Sequence, residues 1–252
     1  DELFRVFYPS SSKCFRDKTV AQLLKDSPSN YTTAMIGKWH LGHHSSTTPT
    51  SPNCLPGSSR QGFDFFFGLP YSHEEGYPGP SPEGVVFPPV PLYANGQIVE
   101  QPFVESDLTT RYANVTEYLI EALSPGSKAG SIPVPSTLDP ITASELSSSI
   151  DVEGDRPWFI HLGFENPHVP LFVSEGYKEN FEPSKRGDYG DSVTEMDAII
   201  GSLLSTLSST SQLSNTLIIF LSDNGAWLNP GNGLGDSTSV DPWDGGSNGV
   251  FK

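Results

Sequence analysis

The chain has 252 residues, a formal net charge of -16, 24 glycines and 23 prolines. That length can bury a substantial core as one large domain or two small ones, while the acid surplus argues against a nucleic-acid partner, which would need a basic face, and suits a cation better. No apolar stretch approaches the roughly 20 residues that span a bilayer, and the Gly/Pro content points to long connections, the places where sites are built.

Residues 1 to 18 read as irregular. Thr19-Val20-Ala21-Gln22 fits a capping box for a short helix whose apolar face is Val20, Leu23 and Leu24. Tyr31 to Trp39 is β-branched and apolar and predicts a strand, so helix and strand follow one another in the α/β rhythm. His43 to Arg60 is a Ser/Thr/Pro loop that returns to the aromatic cluster Gly62 to Gly68. Residues 70 to 106 carry many prolines, with a hairpin around Asn95-Gly96. Asp107 can cap a helix over 108–123, with Tyr112, Val115, Leu119, Ile120 and Leu123 on one face. After a Ser/Pro/Gly-rich connection with a helical turn at Ser144 to Ser149, Trp158 to Phe164 predicts a buried strand. A second long helix is expected from Asp191 to Leu207, where Val193, Met196, Ile200, Leu203, Leu204 and Leu207 recur at helical spacing. Leu217 to Leu221 is the most hydrophobic run and the best candidate for a central parallel strand.

Three of these runs end in chemistry. Thr33 to Gly42 breaks at Gly37 and delivers Lys38 and His40, a fixed cation for an oxyanion and a proton carrier near neutral pH. A buried Trp39 with two solvated neighbours would read the same way. Trp158 to Phe164 runs into Asn166-Pro167-His168-Val169-Pro170, where two prolines stiffen the backbone around His168 as acid catalysis needs, although a surface loop histidine also fits. His161, inside the strand, reads as structural. Leu217 to Leu221 runs into Asp223-Asn224-Gly225, a carboxylate and an amide oxygen side by side, hard ligands suited to Ca²⁺ or Mg²⁺ and also a common turn. Ligands of open α/β sheets bind outside the carboxyl ends of strands, so neighbouring strands would make Lys38, His40, His168, Asp223 and Asn224 converge.

Ser72, in Tyr71-Ser72-His73-Glu74-Glu75, is a polar loop residue. Cys54-Leu55-Pro56 with Arg60 imitates a catalytic cysteine motif with the wrong spacing, and Cys14 and Cys54 form neither a disulfide framework nor a metal spacing. Asn30-Tyr31-Thr32 and Asn114-Val115-Thr116 are glycan acceptor sequences in a secretory protein.

Taken in order, the 33–42 stretch, Gly62-Phe63-Asp64 with Gly68-Leu69-Pro70-Tyr71-Ser72-His73, Asn166 to Pro170 and Ser222 to Gly225 resemble the sulfatase family of the alkaline-phosphatase-like superfamily, closest to its arylsulfatase A group. The resemblance implies an α/β sandwich around a central mixed, largely parallel sheet flanked by helices, residues 1–252 being part of a catalytic domain. It implies hydrolysis of sulfate esters, aided by Ca²⁺ or Mg²⁺, with a formylglycine nucleophile made from cysteine. Lys38 would bind the sulfate and the nucleophile's oxygen, and His40 would help expel sulfate. His168 would contact sulfate or the leaving group, Ser72 would support the site, and Asp223 and Asn224 would be metal ligands. A sulfated small molecule or glycan would be the substrate, and a secreted or lysosomal location would match Asn30 and Asn114.

The family's Cys/Ser-x-Pro-x-Arg motif has no match before Lys38, where Cys14 is followed by Phe-Arg-Asp, and its earlier aspartate pair is also absent. Asp1-Glu2-Leu3-Phe4 is not an initiation sequence and carries no signal peptide, and Phe251-Lys252 has no capped element, so both ends are expected to continue in a longer protein, with a Gly-Lys-Gly segment beyond Lys252. This stretch alone is expected to be inactive, the formylglycine lying outside it. Two rivals are a non-catalytic sulfatase-like secreted structural or glycan-binding protein and a phosphoesterase of the same superfamily.

Overall fold

The computed structural model describes residues 18–42, 55–57, 61–73, 89–127, 134, 138–150 and 156–226. They belong to two compact units, Asp1–Glu165 and Asn166–Lys252.

The first unit is built on a mixed five-stranded sheet. The strands are β1 (Thr32–Gly37), β2 (Phe65–Gly68), β3 (Leu92–Ala94), β4 (Gln97–Glu100) and β5 (Trp158–Gly163), in the order β4-β3-β2-β1-β5. β1 runs parallel to both β2 and β5, with Ile36 opposite Phe67 on one side and Leu162 on the other. All six β1 residues are buried, as expected of a strand covered on both faces. β2, β3 and β4 pair antiparallel, and Asn95-Gly96 makes the β3–β4 turn as expected. Asn95 sits at φ +51°; its side-chain oxygen accepts the Phe66 N–H at 3.0 Å and its amide donates to Glu145 and Ser149 at 2.8 Å.

Alternation along the strands sends successive side chains to opposite faces. Met35 and Phe66 join Ala21, Trp39, Leu55, Phe63 and Tyr93 in one buried cluster. On the other face Phe67 meets the Tyr112 ring edge-on, centroids 6.1 Å apart. Tyr112 lies on α2 (Leu108–Ala122), which buries Val115, Leu119 and Ile120 as its periodicity requires. A short 3-10 turn, Glu105–Asp107, precedes this helix, and Asp107 caps it without a side-chain hydrogen bond. α3 (Pro140–Ser149) is longer than the expected turn, because Asp139 caps it by accepting the Thr142 N–H at 2.8 Å. α2 packs over β1, β2 and β5, and α3 over β2, β3 and β4.

The capping box is present at α1 (Val20–Lys25): Thr19 Oγ1 accepts the Gln22 N–H and Gln22 Oε1 accepts the Thr19 N–H. The expected apolar face is not the buried one. Val20 and Leu23 are 54% and 56% exposed, and Ala21 is buried instead. The helix meets the loop backbone to backbone, since a Cβ at Gly62 would lie 2.2 Å from the Gln22 nitrogen and 2.7 Å from the Ala21 carbonyl carbon, and it is Ala21 that is buried.

The second unit holds α4 (Glu175–Asn180), a helix absent from the sequence reading, and α5 (Gly187–Ser209), longer than expected. α5 buries Gly190, Ser192, Glu195 and Leu207, while Leu204 of the expected apolar face is 36% exposed. The central-strand expectation for Leu217 to Leu221 is overturned. These residues form no strand and are 50% to 85% exposed. Hydrophobicity and β-branching confer propensity, but a strand exists only where another strand offers a ladder, and the sheet of the described residues is drawn from positions 32 to 163. No helix among the described residues is long and apolar enough to cross a membrane.

β1, β2 and β5 all end in glycine. A Cβ on Gly37 would lie 1.8 Å from the Gly163 carbonyl oxygen, and one on Gly68 would lie 1.9 Å from the Gly37 oxygen. Gly37 also sits at φ +98°. At Gly163 the nearest atom to an added Cβ is 3.3 Å away. Gly37→Ala is therefore expected to destabilise the fold by about 3 kcal/mol or more, and Gly163→Ala by clearly less. Thermal unfolding of both variants checks this order, and equal midpoints would contradict it.

Candidate functional site

The site grows out of those glycine-closed strand ends. Beyond Gly37 the backbone is held on both sides: the Lys38 N–H donates to the Gly163 oxygen at 3.0 Å, the Trp39 N–H to Leu69 at 3.0 Å and the His40 N–H to Pro70 at 3.1 Å. Trp39 turns into the core, 5% exposed, donating from Nε1 to the Gly42 oxygen at 2.8 Å and meeting Phe63 edge-on. The tryptophan is thus the anchor of the segment, and Lys38 and His40 flank it, half-buried. His40 occupies the left-handed region at φ +53°, a conformation a non-glycine residue holds only where its surroundings enforce it.

Lys38 Nζ donates to Ser72 Oγ at 2.9 Å. Ser72 is fully buried in the loop after β2, so the structure joins these two expected site residues across 34 positions. An ammonium carries three donors, and this contact takes one and aims the charge.

Behind Ser72 lies a group the sequence reading did not single out. His73 and Glu165 have fully buried side chains, with His73 Nδ1 3.4 Å from Glu165 Oε2. Glu105 Oε1 lies 3.6 Å from His73 Nε2, and the Tyr112 hydroxyl donates to Glu165 Oε1 at 3.4 Å. Burial, reinforced by the Glu165 carboxylate, pushes the Tyr112 hydroxyl well above the ordinary tyrosine value, so it remains a donor. The available signal was positional: His73 and Glu165 each follow the carboxyl end of a strand within a few residues.

In the second unit the Asn166 to Pro170 loop has its own anchors. The Asn166 amide donates to the Ser192 hydroxyl at 2.8 Å and to the Phe172 oxygen at 3.2 Å, and the Ser174 N–H donates to Glu195 Oε1 at 3.1 Å. Both X–Pro bonds of the loop, Asn166-Pro167 and Val169-Pro170, are cis. Val169 is buried and His168 exposed, with His168 Nδ1 2.6 Å from the Val169 oxygen. A carbonyl only accepts, so Nδ1 is the donor in this contact. Asp223 and Asn224 are exposed, the Asn224 carbonyl accepting the Ser222 hydroxyl at 2.5 Å.

Two of the three runs expected to be neighbouring strands are so, β1 and β5, and the third is not in the sheet. Among the described residues no group of three or more His, Cys, Asp or Glu is placed to hold a metal ion. Asp223 and Asn224 offer two oxygens against the six to eight that Ca²⁺ takes, so the described residues do not complete a cation site. β5 is not the buried strand expected: it stands at the end of the strand order, its other residues are half-buried, and His161, opposite Met35, is exposed. Asn30 is exposed and Asn114 half-buried; Cys14 and Cys54 fall outside the described residues.

The sulfatase family model matches residues 6–249. This chain belongs to the sulfatase family. It is 31% identical over 232 residues to mouse (Mus musculus) arylsulfatase G, covering 84% of this chain and 36% of that protein. It is 32% identical over 233 residues to rat (Rattus norvegicus) N-acetylgalactosamine-6-sulfatase, covering 91% and 35%. The sulfatase chain thus spans about a third of the length of these curated relatives. A solved structure from work on glycosaminoglycan metabolism by Bacteroides thetaiotaomicron shares the fold, with a TM-score of 0.52 at 19% identity over 82% of this chain and 46% of its own.

Glu195 gives the sulfatase chain a pH signature. Burial raises its carboxyl above the ordinary glutamate range, partly opposed by the Ser174 hydrogen bonds and the Lys178 charge, and Oε2 has no hydrogen-bond partner among the described residues. A raised folded-state value means the unfolded chain releases this proton first, so the contribution is full at pH below the unfolded value and is lost as pH rises through the folded one. Glu195→Gln, permanently neutral, is expected to melt above the parent at pH 7 and to lose that advantage near pH 4. Parallel melting curves across that range test it; an advantage independent of pH would contradict it.

Proposed function

We propose that the protein containing this chain is a sulfuric ester hydrolase that cleaves arylsulfate-type esters of small molecules or glycans. The observation that carries this reading is the Lys38 ammonium held on the buried Ser72 hydroxyl, just beyond the glycine-closed ends of two parallel strands, in a chain of the sulfatase family. A fixed cation whose position is set by a buried hydroxyl, with further N–H groups, suits the anionic oxygens of a sulfate ester and the charge that builds on them as the S–O bond breaks.

In this reading Lys38 binds sulfate and the oxygen of the nucleophile, and Ser72 keeps it in place. His40, on the same backbone segment, exchanges the proton needed to release sulfate from the enzyme. His168 protonates the departing alcohol: with Nδ1 engaged by the Val169 oxygen, the imidazolium delivers the Nε2 proton to the leaving oxygen as its bond to sulfur opens. The nucleophile is a formylglycine from a part of the protein outside residues 1–252. Ca²⁺ or Mg²⁺ binding would use Asp223 and Asn224 together with oxygens from outside this stretch.

A secretory or lysosomal location goes with the reading, with glycans on Asn30 and Asn114. Enzymatic removal of N-glycans from the secreted protein should shift its mass by two glycans, one of which disappears in Asn30→Gln; no shift would remove the localisation proposal.

In the full-length protein, Lys38→Ala and His168→Ala should each lower kcat/KM for a generic aryl sulfate by about 100-fold or more while leaving the melting temperature near that of the parent. Parental turnover in both would sink the site assignment.

A further inference from the structure

Lys38 and Ser72 are both carried by chain that has just left the sheet, and something must hold the Ser72 side. Its sequence neighbour is placed to do so. His73 is wholly buried, with Glu165 Oε2 3.4 Å from Nδ1 and Glu105 Oε1 3.6 Å from Nε2, and Glu165 is steadied by the Tyr112 hydroxyl.

The topology makes this pair more than a local contact. β1 lies between β2 and β5, His73 stands in the loop after β2, and Glu165 stands two residues past β5. The backbone of Lys38 to His40 is already bonded to the β5 end through Gly163 and to the β2 loop through Leu69 and Pro70. His73–Glu165 joins those two flanks to each other, closing a ring that runs from the β5 end through Lys38 to the β2 loop and back through the His–Glu contact. Burying ionisable groups is costly, and apolar residues of similar size would pack this space more cheaply.

We propose that His73 is a positioning residue of the sulfate site: through Glu165 it locks the loop after β2, so that Ser72 Oγ stays where Lys38 Nζ needs it. This rests on the sulfate-binding reading of Lys38.

The test uses the full-length protein, inorganic sulfate as the probe in calorimetric titration, and KM and kcat for an aryl sulfate. His73→Ala should weaken sulfate binding about tenfold, as should Ser72→Ala, and the double variant should lose no more than either single one, because the two act through one contact. His73→Asn, whose amide N–H stands near the place of Nδ1–H, should recover most of the loss, which a purely structural role would not require. Parental sulfate affinity in His73→Ala, or losses that multiply in the double variant, would overturn the proposal. If His73→Ala does not fold, Glu165→Gln carries the same expectations and the same contrary outcomes. Lys38→Ala, titrated alongside, separates the two levels. Its loss of sulfate binding with His73→Ala unaffected overturns only the role of His73. Parental binding in Lys38→Ala overturns the sulfate-site reading and this inference with it.

Discussion

The constraint on which the first unit depends is the close approach of backbone at Gly37, Gly68 and Gly163. With 1.8 and 1.9 Å to the nearest atom from added Cβ positions at Gly37 and Gly68, a side chain has no room at the ends of β1 and β2, where the Gly163 and Gly37 oxygens stand. The chain that leaves β1 must run between the ends of its neighbours, and its N–H groups meet the Gly163, Leu69 and Pro70 oxygens. Once that path is set, the apolar side chain of the three residues 38–40, Trp39, goes into the core, and Lys38 and His40 remain beside it at the carboxyl end of the sheet. The site is a consequence of how tightly three strands finish.

The two units hold these loops by a common device, a buried carboxylate tied to a loop residue. Glu165 faces His73 in the first, and Glu195 accepts the Ser174 N–H in the second. Each anchors by polar contact what apolar packing would leave free to slide, since a hydrogen bond has direction and a dispersion contact does not. The cost is desolvation, visible in the raised carboxyl of Glu195 and the raised hydroxyl of Tyr112. In each unit that cost falls on a carboxylate that holds a loop residue, His73 in the first and Ser174 in the second.

Much of the fold was legible residue by residue where the signal is local. Thr19 and Gln22 announce a capping box and make one; Asn95-Gly96 announces a two-residue hairpin turn and makes one; the 3.6-residue period of 108–122 buries the face it predicts. What failed depends on partners far along the chain. The apolar period of α1 pointed to Val20 and Leu23, yet docking at Gly62 buries Ala21. β2 is a run of three phenylalanines with no alternation, so its strand character shows only when Ile36 stands opposite Phe67. Leu217 to Leu221 has every local mark of a strand and, among the described residues, forms none.

For the site the division is the same. The amino-acid sequence alone determined the chemistry available: Lys38 and His40 around a tryptophan at a glycine break, His168 between prolines, Asp223 beside Asn224, and their common order, which places the chain among sulfatases. Residue type and short spacing settle such features because they concern neighbours within a turn or two of chain. Only tertiary structure decided that Lys38 meets Ser72, that His73 lies against Glu165 across 92 residues, and that Trp39 joins the buried cluster. Those contacts follow from strand order and from the space left by absent side chains, and neither is written in any one stretch of sequence.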